Sequence, residues 1–383
     1  MSRRVAVVGA GQTHHASKRL DVSLAGLARE AVARALEDAA LEPADVDAVI
    51  VGTAPDFFEG VMQPEQWLAG ALGGAGKPVL RVHTAGSVGG STAVTAAALV
   101  ASGLFERVLA VAFEKHSEGD ALWGLSPRNP FGRAFGAGAG AFFAPHCRLY
   151  AERSGAPADI GPRIAVKARA NGARNPHAHL RAPVTLDEVL ASPMLWDPIR
   201  RLESCPTSDG AAALVFASEA VARGRRSVAW VRGAAAMAEA TSFPGRDVLD
   251  PAAGRACARA VYRQAGVDAP RRDLDVAEIY EPFSWIDVLW YENLGLAGTD
   301  AGWRLLESGA TELDGEIPVN PSGGVLSTNP IGASGLLRML EAAEQVRGRC
   351  GGHQVDGARL ALGHAYGGAS NYFAMMAFGS EPA

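Results

Sequence analysis

Ser87 stands where a chain could present a nucleophile. The run Arg81-Val82-His83-Thr84-Ala85-Gly86-Ser87-Val88-Gly89-Gly90-Ser91-Thr92-Ala93 reads as a strand, a tight glycine turn and the N-terminus of an Ala-rich helix. Backbone N–H groups at a helix start favour anionic groups, so an enzyme can present a nucleophile to substrate at such a turn. A serine hydroxyl needs an adjacent base to attack, and His83, His116 and His364 are the histidines considered for a Ser–His pair. His364 suits a hydrogen-bonded structural role as well as a base. Tyr366 lies between Ala365 and Gly367-Gly368, where packing alone explains a large side chain poorly. Tyr280 follows a strand-like run and precedes an amphipathic segment, an ordinary setting for a core tyrosine. Glu281 beside it suits either orienting Tyr280 or occupying a helix N-terminus. Cys205 has no adjacent base in sequence and reads as structural. The Gly9-Ala10-Gly11 turn lacks the third glycine of a dinucleotide-binding turn.

The elements that must hold these residues follow from composition and pattern. With 383 residues and about half of them hydrophobic, the chain has ample material for a buried core. A formal charge of −5 makes neither nucleic acid nor an anionic membrane an evident partner. The four cysteines are far apart, with no CxxC and no His pair at metal spacing, so neither disulfides nor a structural zinc is expected. The apolar run at Val5–Gly9 is too short for a signal peptide, and none reaches the roughly 20 residues of a membrane span. A reduced, cytoplasmic enzyme is the expectation.

Strand-like and helical runs alternate over the first hundred residues: strands at Val5–Val8, Val46–Val51, Val79–Val82 and Arg107–Phe113, helices at Leu24–Leu41, Pro64–Leu72 and Gly90–Val100. This rhythm predicts a mostly parallel sheet covered on both faces. Residues 115–203 read as a loop-rich insertion, after which Ala211–Phe216 and Val228–Arg232 resume the strands. Helix Ala252–Gln264, strand Val276–Tyr280, helices Trp285–Leu294 and Ala333–Val346, and strand Arg359–Leu362 follow. The halves echo one another: Asp47–Val51 with Asp275–Ile279, Ser87–Gly103 with Ile331–Gly348, Arg107–Phe113 with Arg359–Ala365. The echo predicts a duplicated domain, with halves at 1–222 and 223–383.

Five strings in series resemble the thiolase superfamily, particularly its sterol-carrier-protein-X-like branch. They are Asn171-Gly172-Ala173-Arg174-Asn175-Pro176, Ala191-Ser192-Pro193-Met194, Cys205-Pro206-Thr207-Ser208-Asp209-Gly210, Asn320-Pro321-Ser322-Gly323-Gly324 and Asn329-Pro330-Ile331-Gly332-Ala333-Ser334-Gly335. The resemblance implies an α/β thiolase fold: two βαβαβαββ halves in a five-layered α-β-α-β-α arrangement, with a loop domain inserted at about 114–204. It also implies CoA-thioester substrates, no cofactor held by this chain, and a homodimer.

The resemblance puts Ser87 in the slot of the acyl-accepting cysteine. It puts Tyr280 in Tyr280-Glu281-Pro282-Phe283 at the oxyanion-side Asn or His, and Asn329 at the Gly-His-Pro histidine. His364, in His364-Ala365-Tyr366-Gly367-Gly368, matches the last catalytic loop, with Tyr366 two residues on. Both partners of acyl transfer are thereby replaced, because an amide is no base near neutral pH. What replaces them is a pair of phenols, which serve as acid or base once tuned. The expected activity is retro-aldol cleavage of a β-hydroxyacyl-CoA, of a sterol or other branched side chain, as in cysteine-less steroid side-chain aldolases. Tyr366 and Tyr280 would be acid and base, Asn329 an enolate donor and Ser87 a positioning residue. A zinc-ribbon/OB-fold partner protein is implied by the same branch. Two alternatives stand beside this: an acyltransferase using Ser87, and a non-catalytic lipid- or CoA-binding scaffold subunit.

Overall fold

The computed structural model describes residues 3–54, 63–119, 138–240 and 245–382. The described residues form eleven strands: β1 Val5–Gln12, β2 Ala48–Gly52, β3 Val79–Val82, β4 Arg107–Lys115, β5 Met194–Trp196, β6 Ile199–Arg200, β7 Asp209–Ser218, β8 Ala229–Ala238, β9 Val276–Glu278, β10 Leu360–Gly367 and β11 Tyr372–Gly379. Nine of them run in the order β3-β2-β4-β7-β1-β8-β11-β10-β9, and β5-β6 is a separate hairpin. The duplication is visible in the pairing. β2 lies parallel to β4, and β4 antiparallel to β7; β9 lies parallel to β10, and β10 antiparallel to β11. The two sets meet through the short antiparallel pair Ala6↔Trp230 and Val7↔Ala229.

The echoed aspartates do the same work in both halves. Asp47 Oδ2 accepts from the N–H groups of Glu106 and Arg107 at 2.9 and 2.8 Å, and Asp275 Oδ2 from those of Arg359 and Leu360 at 2.8 Å. Each carboxylate thereby pins the start of the neighbouring parallel strand, where backbone donors otherwise lack partners.

Alternation along the strands sets the layers. Val5 and Val7 of β1, with Val108 and Ala110 of β4, face inward to the Val88–Ala101 helix; Ala6, Val8, Leu109 and Val111 face outward to the Leu24–Ala39 helix. The Ala252–Ala265 helix covers β8 and β11 of the second half. Between the sheets the Val88–Ala101 and Ile331–Arg347 helices cross at backbone distance. A Cβ on Gly89 would stand 2.4 Å from Leu336 N, and one on Gly335 2.7 Å from Gly90 N, so glycine is required on both sides of the crossing.

Several expectations need correction. The sheet is mixed rather than mostly parallel, because β1, β7, β8 and β11 pair antiparallel with each of their neighbours. The insertion is substantially helical, with helices Ala139–Ser154, Ile160–Arg174 and Leu186–Ala191. Pro145 is accommodated inside the first, Thr185 and Glu188 form a capping box on the third, and Pro127 and Pro130 lie outside the described residues. Lys167, from the second of these helices, is buried and reaches Tyr291 Oη at 2.8 Å and Asp287 at 3.3 Å, tying the insertion to the Ser284–Asn293 helix. Tyr280 lies beyond β9 rather than inside it, and β10 runs on to Gly367, so Tyr366 sits in a strand. Strand β11, at the C-terminal end, went unread in the sequence; its Tyr372–Gly379 stretch pairs with both β10 and β8.

Candidate active site

The Ser87 turn is built by backbone geometry. Ala85 takes a positive φ of 52°, and Ser87 starts the Val88–Ala101 helix. The end of β10 lies directly on this turn: a Cβ on Gly367 would be 2.3 Å from Ser87 N and 2.4 Å from Gly86 N. Ser87 is fully buried, and its Oγ lies 2.7 Å from the Thr84 carbonyl and 2.9 Å from the Thr84 hydroxyl. These hydrogen bonds run to Thr84 rather than to a histidine. His116 is buried and occupied elsewhere, accepting from Ile331 N at 3.2 Å. The Ser–His pair is not assembled here.

The two tyrosines do come together. The Tyr280 and Tyr366 rings pack edge to face with centroids 5.4 Å apart, and both side chains are buried, at 4% and 2% exposure. Tyr366 is further walled by Phe143, Trp290 and Phe373, with centroids at 6.0, 4.6 and 6.2 Å. Its hydroxyl finds no hydrogen-bond partner among the described residues. A buried hydroxyl without a partner costs about 1–3 kcal/mol, so it calls for an explanation beyond packing. Burial pushes both phenols well above their ordinary pKa, with Cys205 and Glu281 adding to the effect in each case. Both are therefore neutral donors at physiological pH. Ser334 lies near the Tyr280 hydroxyl and partly offsets that rise in its pKa.

His364 and Tyr366 share one face of β10, two residues apart, with rings nearly parallel at 6.1 Å. His364 Nδ1 accepts from Tyr280 N at 3.3 Å, while Nε2 has no partner among the described residues. Burial depresses its pKa to about 3, so the ring is neutral and holds the Tyr280 backbone in place. A pH prediction follows from the sign. Between about 6.5 and 3 the unfolded chain binds a proton that the folded chain refuses, so this contribution is full above 6.5 and is lost as pH falls. Thermal melts from pH 7 to 4 should show a steeper loss of midpoint in wild type than in His364→Gln. Parallel curves for the two proteins would refute the assignment.

Asn329 precedes the Ile331–Arg347 helix and is buried. Its Oδ1 accepts from Ser334 Oγ at 2.8 Å, its N donates to Ser208 Oγ at 3.1 Å, and its Nδ2 donates to Cys205 Sγ at 3.2 Å. Ser334 thus lies near both Asn329 and the Tyr280 hydroxyl. Cys205, read as purely structural from sequence, borders the phenols; burial raises its thiol to about 12, so it is protonated and no nucleophile. Thr84 and Ser334 are the residues of this site that sequence reasoning missed. Ser334 was visible only as part of the Asn329–Gly335 string, with nothing local to mark its partner.

The geometry defines a class before any relative is considered: two packed βα halves, with a helix-start turn and a strand-end tyrosine facing each other at their junction. Comparison with known proteins agrees. Residues 5–130 match the model of the thiolase N-terminal domain, and 234–380 that of the thiolase C-terminal domain-like family. The chain is 32% identical to Sterol carrier protein 2 of Homo sapiens over 387 residues, covering 95% of this chain and 70% of that protein. It is 31% identical to an acetyl-CoA acetyltransferase of Methanothermobacter thermautotrophicus, covering 98% and 99% of the two chains. A solved structure described as "Ltp2-ChsH2(DUF35) aldolase" superposes with a TM-score of 0.84 at 27% identity, covering 98% of this chain and 97% of that one. The chain belongs to the thiolase superfamily, in its sterol-carrier-protein-like branch. Among the described residues no helix is long and apolar enough to cross a membrane.

Proposed function

We propose that this protein is a carbon–carbon lyase that cleaves a β-hydroxyacyl-CoA by retro-aldol chemistry. The observation that carries the reading is the Tyr366 hydroxyl, buried against Tyr280 and without a partner among the described residues. The similarity to a structure described as an aldolase supports it.

Retro-aldol cleavage consumes no net proton: the β-hydroxyl loses one and Cα gains one. Two neutral phenols side by side suit such an exchange. The Tyr366 phenol accepts the hydroxyl proton as it gives its own to Cα, and the Tyr280 phenol beside it donates a hydrogen bond to the reacting oxygen. The Cα–Cβ bond breaks as the carbonyl forms, and its electron pair takes up that proton at Cα in the same step, with enolate charge developing on the thioester oxygen in the transition state. No free phenolate is needed, which matters because burial raises both phenols. The developing charge on the thioester oxygen needs donors; Asn329 Nδ2 and the backbone N–H at Gly368 are the groups assigned to it, since the Ser87 N–H is spent on the Thr84 carbonyl at 3.2 Å. Ser87 and Thr84 shape the turn and take no part in bond making.

An acyltransferase using Ser87 is the second reading, favoured by the similarity to an acetyl-CoA acetyltransferase. The two differ at one residue. Ser87→Ala should retain at least a tenth of the lyase rate, since its hydroxyl is spent on Thr84. Incubation with a branched β-hydroxyacyl-CoA, with and without an OB-fold partner protein, should release a ketone or aldehyde and a shortened acyl-CoA, read by mass spectrometry. An acyl mass adduct on the protein that vanishes in Ser87→Ala would instead establish acyl transfer. Binding with neither product nor adduct, partner included, would leave a scaffold subunit.

A further inference from the structure

A second polar site lies well away from the tyrosines, and the reaction proposed above makes no use of it. Glu341 lies on the Ile331–Arg347 helix, seven residues past Ser334 and so about 10 Å further along the axis. After the helix the chain turns through Cys350-Gly351-Gly352-His353 and folds back on it. Gly351 adopts a φ of +56°, which lets the turn double back. The turn is pinned: Gln345 Nε2 donates to His353 O at 2.8 Å, Val355 N to Gln345 Oε1 at 2.8 Å, and Cys350 N to Gln354 Oε1 at 2.9 Å.

The result is three ligand-type atoms held together on a rigid frame. His353 Nε2 is 2.9 Å from Glu341 Oε2, Cys350 Sγ is 3.9 Å from the same oxygen, and all three atoms lie within 4.8 Å of one another. Tetrahedral sites with bonds of about 2.0–2.3 Å place ligand atoms at comparable separations. The three residues are 2%, 5% and 3% exposed, so this is no solvated surface cluster. The other Glu341 oxygen accepts from Gln12 Nε2 at 2.8 Å, an outer contact that orients the carboxylate. His353 Nδ1 is buried without a partner among the described residues. The triad opens onto a cavity of about 270 Å³, lined also by Gln12, His177 and Glu344.

We propose that Glu341, Cys350 and His353 form a binding site for a divalent transition metal of the zinc class, with its fourth position open to the adjoining cavity. Thiolate, imidazole and carboxylate together select zinc or a similar borderline ion over magnesium or calcium, which prefer all-oxygen sets. Charge also fits. A dication with one thiolate, one carboxylate and a neutral imidazole is neutral, as a buried site requires. Cys350 gives up its proton to bind, and Glu341 no longer needs His353 as its cationic partner. Three protein ligands with one open position is the pattern of exchangeable sites, and His177 also lines the adjoining cavity. The site is invisible to a search for paired cysteines or histidines, because its third ligand comes from a helix nine residues upstream of Cys350.

The test uses the full chain, stripped with a chelator and titrated with Co²⁺ alone. One Co²⁺ per chain is expected, with a thiolate-to-cobalt charge-transfer band and tetrahedral visible bands, displaced by Zn²⁺. The band should vanish in Cys350→Ser and persist in Cys205→Ser. His353→Gln should weaken Zn²⁺ at least about ten-fold and abolish the rise in melting temperature that Zn²⁺ gives wild type. Should Cys350→Ser fail to fold, His353→Gln carries the test alone. Absence of a charge-transfer band, its loss in Cys205→Ser, or Zn²⁺ affinity unchanged in His353→Gln would each overturn the proposal.

Discussion

Tyr366→Phe should lower lyase turnover by about 10²–10⁴-fold while leaving the fold as stable as wild type or slightly more so. The first half follows from removing a proton-transfer group, whose usual contribution is of that size. The second follows from the environment of the hydroxyl. It makes no hydrogen bond among the described residues, and the ring around it is held by Phe143, Trp290, Phe373 and Tyr280. Deleting a buried hydroxyl that has no partner removes a cost of about 1–3 kcal/mol and leaves the packing intact. An ordinary core tyrosine would behave differently: its Phe variant would lose stability along with its hydrogen bond, and turnover would follow stability. Steady-state kinetics and thermal melts on the same preparations separate these cases. Unchanged turnover in Tyr366→Phe would remove the phenol from the mechanism, whatever the melts show. Loss of both turnover and stability would assign it to the core.

Arg338→Met should be the most destabilising single change near the site, costing about 3–5 kcal/mol. Arg338 and Glu278 form an ion pair in which both residues are buried, and Ser322 Oγ bridges them, 2.7 Å from Arg338 Nη1 and from Glu278 Oε2. Ser322 N adds a bond to Glu278 Oε1 at 3.0 Å. Removing the guanidinium leaves the buried carboxylate between β9 and the Ile331–Arg347 helix without its cationic partner. The size of the effect reflects that stranded charge more than the strength of the pair. The double variant Glu278→Gln/Arg338→Met should therefore recover much of the loss, because two polar burdens leave together. Chemical denaturation of the wild type, the single variants and the double variant closes the cycle. If the double variant is no more stable than Arg338→Met, the stranded-charge account fails.

Much of the scaffold was legible because it depends on local pattern. Strands β2, β3 and β4 announce themselves by short apolar runs between turn residues. The Leu24–Ala39 helix does so by apolar spacing at 27, 28, 31, 32 and 35, and the duplicated order by the echoing aspartates at 47 and 275. The candidate site was legible in part. Ser87 stands out by its turn, and Tyr366 by its small neighbours. The insertion was less so, since its prolines suggest loops, yet Pro145 lies within a helix supported by packing from outside.

The sequence by itself determined most elements of the two halves outside β11 and the insertion, their order, and which chemical groups sit at their ends, since periodicity, caps and glycine turns act within a few residues. Tertiary structure alone decided what those groups meet. It placed Tyr366 against Tyr280, 86 positions away in the chain, and turned the Ser87 hydroxyl to Thr84 instead of a histidine. It also set Cys205 beside Asn329 and folded the Cys350–His353 turn back onto Glu341. Such contacts depend on how close two helices approach and how a strand end lies on a turn. That is governed by the absence of a Cβ at Gly89, Gly335 and Gly367, a property whose consequence appears only when the opposing backbone is in place.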